Sequence, residues 1–172
     1  MGNTKTTCGS SILPGIVALL LSLQVSAQQN ATLDYPQVAF DSDTCCWRQL
    51  AANARYGDAA NLIVAYINTH KQGNLHALRW HAGQQYAKAG NNAMAIKYFG
   101  KTYNVFYRWF GGADGAAWYF YAKGSVAFLK RNRSQLQHIL YRWDRKLPKD
   151  RNYTQLTMLN QQWDKRYRDA LK

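Results

Sequence analysis

Apolar residues recur at spacings of three and four along most of the chain, the pattern of amphipathic helices, with short polar or glycine-bearing breaks between them. Trp47, Leu50 and Ala54 form a first stripe behind Asp43 or Thr44, either of which can cap a helix, and Gly57-Asp58 breaks it. Leu62, Ile63, Tyr66 and Ile67 form a second, ended by Gly73-Asn74. A third helix is expected over 74–89, with Leu75, Leu78, Ala82 and Tyr86 on one face and Gly90 as its stop. Asn91 then caps a fourth, whose apolar positions Ala95, Phe99, Thr102, Phe106 and Phe110 predict a long run. A glycine-rich turn over 111–115, with Asp114 as a cap, leads to a fifth helix over 115–130. Ser134 caps a sixth that buries Leu136, Ile139, Leu140 and Trp143 and stops at Leu147-Pro148. A last helix over 152–171 aligns Leu156, Leu159, Trp163, Tyr167 and Ala170, with Lys165, Arg166 and Arg168 on its other face. One amphipathic helix of that kind suits the capping end of a helical array. No segment reads as a strand, so the class is all-α. Residues 28–43 lack a helical period, contain Pro36, and read as an extended lead-in.

Small residues recur where two helices must touch. Gly83, Tyr86, Gly90, Ala95 and Phe99 fall at offsets 0, 3, 7, 12 and 16, and from Gly124 the residues Ala127, Leu136, Leu140 and Trp143 fall at 3, 12, 16 and 19, with Pro148 at 24. Ala51 with Ala54 begins a weaker first unit. This pattern, over about 44–148, resembles the tetratricopeptide repeat. Two departures stand out: Trp80 lies one position past the family's aromatic site, and Tyr107 stands where a proline is expected. The resemblance implies a right-handed α-solenoid of about three antiparallel helical hairpins with a C-terminal capping helix, together occupying 44–172. It also implies a concave face lined by Arg48, Ala52 and Tyr56 from the first hairpin, Trp80, Gln84 and Lys88 from the second, and Tyr121, Ser125 and Leu129 from the third. Such a face suits a protein or peptide partner, with aromatic rings for contact and cations for charge. The same spacing leaves open a second reading, in which Trp80 and Tyr121 pack against the neighbouring unit.

The first 27 residues differ in kind. Lys5 is their one charge, residues 12–23 are an apolar run, and Val25-Ser26-Ala27 has the small-x-small form of a signal-peptidase site. The expectation is a cleaved signal peptide over 1–27 and an exported protein, periplasmic or secreted. Asn30, Asn132 and Asn152 each open an N-x-[ST] sequon, which carries a glycan only in a eukaryotic secretory setting.

Charge adds a second surface. The formal net charge is +13, every acidic residue is Asp, and residues 101–172 hold 15 Lys and Arg against 5 Asp. Besides an ordinary solvated face, this predicts an anionic membrane surface or glycan as an alternative partner, met by Arg142, Arg145, Lys165, Arg166 and Arg168. Nucleic acid is disfavoured for an exported chain.

No catalytic constellation is legible. There is no Glu, Asp58 and Asp114 are placed as caps, and no pair of carboxylates suggests acid–base work. His70, His76, His81 and His138 have no metal-ligand spacing; His76 and His81 diverge by about 140° on a helix. Ser125 lacks a G-x-S-x-G frame. The reading is of a binding protein with no cofactor and no metal. Cys45 and Cys46 are adjacent, and on a helix their side chains point about 100° apart, which makes a disulfide between them sterically poor; they are expected as two small buried groups, the alternative being that one reaches another molecule.

Overall fold

A computed structural model describes residues 32–70, 73–103 and 112–172. The leader 1–27, the Asn30 sequon, and the Phe106–Phe110 end of the expected long fourth helix, with Tyr107, lie outside the described residues. Among the described residues the regular elements are helices, with no strand. In chain order they are α1 (Gln37–Phe40), α2 (Cys46–Ala52), α3 (Tyr56–Thr69), α4 (Leu75–Ala89), α5 (Asn92–Gly100), α6 (Gly112–Leu129), α7 (Arg133–Lys146), α8 (Arg151–Gln161) and α9 (Tyr167–Ala170). None is long and apolar enough to cross a membrane.

The helices pair as three hairpins, α2/α3, α4/α5 and α6/α7, and one turn geometry makes all three. Ala54, Gly90 and Arg131 adopt left-handed φ of 58°, 83° and 56°. The next amide in each case reaches back five residues: Arg55 N–H to the Leu50 carbonyl, Asn91 to Tyr86 and Asn132 to Ala127, each at 2.9 Å. This closes the preceding helix through its orphan carbonyls. Asn91 and Asn132 then cap the following helix, accepting from the amides of Met94 (3.2 Å) and Gln135 (3.0 Å). Asn74 and Asp150 cap α4 and α8 in the same way.

Several expected boundaries move. The break in the first hairpin lies at 53–55, so Gly57-Asp58 falls inside α3. Asn132, not Ser134, caps α7, and α6 already runs from Gly112, which puts Asp114 inside it. The reason is shared: left-handed Ala54 and Arg131 carry no glycine signal. The expected long fourth helix stops at Gly100, where Thr102 turns its hydroxyl onto the Phe99 carbonyl (2.8 Å). The lead-in is not wholly extended. The α1 turn buries Phe40, which stacks on Tyr66 at 3.9 Å, while Tyr66 donates to the Tyr35 carbonyl at 2.8 Å. Gln37 makes a two-way amide bond with the backbone of Asn74 (3.0 and 2.7 Å).

Cys45 and Cys46 form a disulfide, contrary to expectation (Cα–Cα 3.7 Å). The expectation assumed two helical residues; instead Cys45 is extended (φ −118°, ψ 154°) and Cys46 is left-handed (φ 56°), which turns the two side chains toward each other.

Packing proceeds from each helix to the next. α3 lies on α4, α5 on α6, and α8 closes the third hairpin against α6 and α7. The α4/α5 crossing depends on Gly83. A Cβ there would lie 2.7 Å from Phe99 Cε1, so the absent side chain is what admits the ring. Gly124 plays the same part for Leu156 of α8, whose methyls would stand 2.6 Å from an added Cβ. The expected single capping helix is in fact two, α8 and α9, separated by residues 162–166. That break lets α9 fold back onto α4, well away from its neighbours in sequence.

Substituting Gly83→Ala should therefore destabilise the protein by about 1–3 kcal/mol, because overpacking at Phe99 outweighs the usual gain in helix propensity. Gly57→Ala, where nothing lies within 4 Å of the new methyl, should stabilise by up to about 1 kcal/mol. Urea unfolding of the two variants checks the opposite signs.

Candidate functional site

Four of the nine residues expected to line an open concave face, Trp80, Tyr121, Ser125 and Leu129, are core. Trp80 is 5% exposed and wedged among Phe99, Trp118 and Tyr121, with ring centroids 4.4, 4.7 and 4.9 Å away. Tyr121 is 2% exposed and donates its hydroxyl to Gln155 of α8. Ser125 and Leu129 are buried as well. Trp80 is covered by α5 and α6, and the α6 residues are covered by the broken C-terminal helix: Leu156 of α8 seats on Gly124, and Tyr167 of α9 packs against Phe99 and Phe128 (both 6.2 Å). The second reading of the spacing, inter-hairpin packing, describes Trp80 and Tyr121.

The other groove residues separate. Arg48 is committed to Asp41, bonding its carboxylate at 2.9 Å and its carbonyl at 3.0 Å while lying 4.3 Å over Trp47. Gln84 is half-buried and contacts His81 Nδ1 at 3.3 Å. Ala52 is exposed on α2. Tyr56 and Lys88 do come together, and two residues of the basic C-terminal set join them. A cavity of about 310 Å³ opens where the N-terminal turn of α3 meets the C-terminal end of α4 and the segment leading into α9. Arg55, Tyr56, Lys88, Arg166 and Arg168 line it. Lys88 Nζ lies 5.7 Å from the Tyr56 ring centre and the Arg168 guanidinium carbon 5.8 Å from it, so one aromatic ring gathers two cations.

Charge in this cavity is under-compensated. Arg55 is paired to Asp58 at 2.7 Å. Asp169 is shared among Arg166 (2.9 Å), Lys172 (3.4 Å) and Arg168 (3.6 Å), and Arg166 first, with Lys172, holds its carboxyl below the usual range. Arg168 Nε is buried without a hydrogen-bond partner. Lys88 has no carboxylate within ion-pair distance among the described residues, and burial pushes its ammonium below the ordinary lysine range. At the floor, α3 begins without a side-chain cap, so the amides of Tyr56 and Gly57 are first-turn donors that the helix cannot satisfy. The arrangement offers a small anion three kinds of donor: an ammonium, guanidinium forks and backbone N–H groups.

The remaining basic candidates lie elsewhere. Arg142 stacks over Phe120 (5.6 Å), and Arg145 over Tyr141 (5.4 Å), both on α7; Lys165 is exposed beside the segment that bears Arg166. Sequence reasoning missed Arg55 and the uncapped start of α3, which no motif signals. Among the described residues no group of three His, Cys or Asp side chains is placed to hold a metal. Three of the four histidines sit in packing roles, while His138 is exposed on α7: His70 stacks on Tyr66 at 3.9 Å, His81 lies against Trp47 at 5.0 Å, and His76 bonds the Thr102 carbonyl at 2.6 Å.

Behind the cavity the Tyr167 hydroxyl comes beside those of Tyr121 and Ser125 without meeting hydrogen-bond geometry. Burial raises both phenols, Tyr121 from 10.0 to about 12. A raised phenol favours the fold while it stays protonated, so its contribution is whole below the unfolded value and is lost as pH climbs to the folded one. For Tyr121 this is on the order of 2–3 kcal/mol, lost between pH 10 and about 12. Alkaline unfolding followed by circular dichroism should show that loss, and Tyr121→Phe should make the decline shallower over the same window.

No family model matches this chain, and no curated protein or solved structure matches it either.

Proposed function

We propose that this chain is an exported, tetratricopeptide-like interaction module that recognises an anionic group of a protein or peptide partner in the Tyr56–Lys88–Arg168 pocket. Three features support the repeat reading: the same left-handed turn at Ala54, Gly90 and Arg131, the close approach of Phe99 to Gly83, and the packing of each hairpin on the next. Recognition belongs to the pocket and not to the concave face, because Trp80 and Tyr121 are consumed by packing.

Lys88 carries the proposal. An ammonium that is largely removed from water and lacks a carboxylate is disfavoured unless something anionic meets it. Part of that cost is already expressed as easier deprotonation, the lowered pKa of the ammonium. A bound anion would reverse this, restoring the charged form by meeting the desolvated ammonium.

Titration with inorganic phosphate and with sulfate at low ionic strength, read by calorimetry, tests the reading. Saturable binding is expected, weakened by added salt. Lys88→Met should reduce affinity about tenfold, the effect of losing one partly buried charge-assisted bond, with the helical dichroism unchanged. Arg48→Ala, which removes a cation already held by Asp41, should leave affinity as it was. Affinity should also decline with rising pH earlier than an ordinary lysine would titrate. Equal binding by Lys88→Met and the parent chain would sink the pocket as a recognition element.

A further inference from the structure

Beside the basic cavity lies a second, of about 200 Å³, and the two share Ala87, Gly90 and Arg166 as common walls. Its character is different. The walls that are its own include the buried faces of Phe128, Leu129 and Tyr167. Its other cation, Arg131, is already engaged: the guanidinium donates to the carbonyls of Trp163 and Lys165 and lies 5.1 Å over Phe128 and 5.6 Å over Trp163. A charged compartment therefore adjoins one walled partly by aromatic and aliphatic side chains, along the seam between α4, α6 and the C-terminal segment.

We infer that the two cavities form one groove for a monoester of phosphoric acid, with the oxyanion in the Lys88–Arg168 compartment and a compact apolar substituent against Phe128 and Leu129. The inference rests on the pocket being an anion site, as proposed above, and adds what the anion must be attached to and what shape it has.

Two properties select a tetrahedral oxyanion over a planar carboxylate. The donors arrive from three separate elements: the uncapped start of α3, Lys88 near the end of α4, and Arg166 and Arg168 at the C-terminal segment. Three non-bridging oxygens can each face one of these directions, whereas the two oxygens of a carboxylate lie in one plane with their carbon and leave a direction unmet. Charge points the same way. Arg55, Lys88, Arg166 and Arg168 line the compartment, and with Asp58 on Arg55 and Asp169 shared by Arg166 and Arg168 the cations still outnumber the carboxylates by two, so a dianion is matched better than a monoanion. Gly57 and Gly90 keep the walls low, as a Cβ at either would meet nothing within 4 Å, and so leave room for an ester oxygen to pass from one compartment to the next. The second compartment is sized for one ring or a short chain.

The test compares inorganic phosphate, phenyl phosphate, butyl phosphate and benzoate by calorimetry on the whole chain. The aryl or the alkyl ester should bind about tenfold more tightly than inorganic phosphate, the gain from covering a small apolar group. Which of the two is favoured separates an aromatic source, such as an aryl ester side group, from a lipid-like one. Benzoate should bind more weakly than phenyl phosphate. Asn92→Trp, at an exposed position on the rim of the second cavity, fills that cavity without touching the core; it should abolish the ester's advantage and leave inorganic phosphate unaffected. Esters that bind no better than inorganic phosphate, or benzoate that equals phenyl phosphate, overturn the inference while the anion site stands. Loss of Lys88 dependence for every probe overturns both.

Discussion

Phe99 lies against the bare backbone of Gly83, and much of the molecule follows from that contact. With no Cβ at 83, the ring enters the α4/α5 crossing, where it presents its face to Trp80 at 4.4 Å. Trp80 in turn bridges to Trp118 and Tyr121, which joins the second hairpin to the third. On the other side Phe99 meets Tyr167 at 6.2 Å, and this contact brings the C-terminal segment back across the array. Arg166 and Arg168 travel with Tyr167 and so arrive beside Lys88. One missing side chain thus underlies a helix crossing, a hairpin interface and a charged pocket.

The C-terminal segment departs from the nearest-neighbour logic of a helical array, in which each unit touches only the next. Breaking the last helix at 162–166 costs backbone hydrogen bonds that a continuous helix would make. Against that stands the burial of Tyr167 and Ala170, each almost fully removed from water, and the engagement of Arg131 with the carbonyls of Trp163 and Lys165 exposed by the break. The outcome covers surface that the three hairpins would otherwise leave open, and concentrates charge at its edge. A buried tyrosine hydroxyl without a partner remains as the price of that docking.

The three hairpin turns show how far local signals reach. Gly90 is the residue expected where φ is positive, and its turn was legible together with the Asn91 cap. Ala54 and Arg131 adopt the same conformation at a cost of about 1–2 kcal/mol each, and their composition announces nothing, so the breaks were expected a few residues later, at Gly57 and Ser134. The vicinal cysteines teach the same lesson, because their side chains meet only when Cys46 leaves the helical region of backbone space.

The sequence by itself determined the class, the order of the six hairpin helices, the close packing at Gly83, and most of the core, because the 3.6-residue period of apolar positions is a local property of the chain. It also placed Tyr56, Lys88, Arg166 and Arg168 among the candidates, though on two different surfaces. Only the tertiary structure decided that Trp80 and Tyr121 are interior, and that Lys88 shares a ring with a cation some eighty residues away. A helix's periodicity says which face is apolar, but whether that face meets water or a returning segment depends on where the chain goes afterwards. Desolvation and charge convergence are set by that path, and no spacing along the chain encodes them.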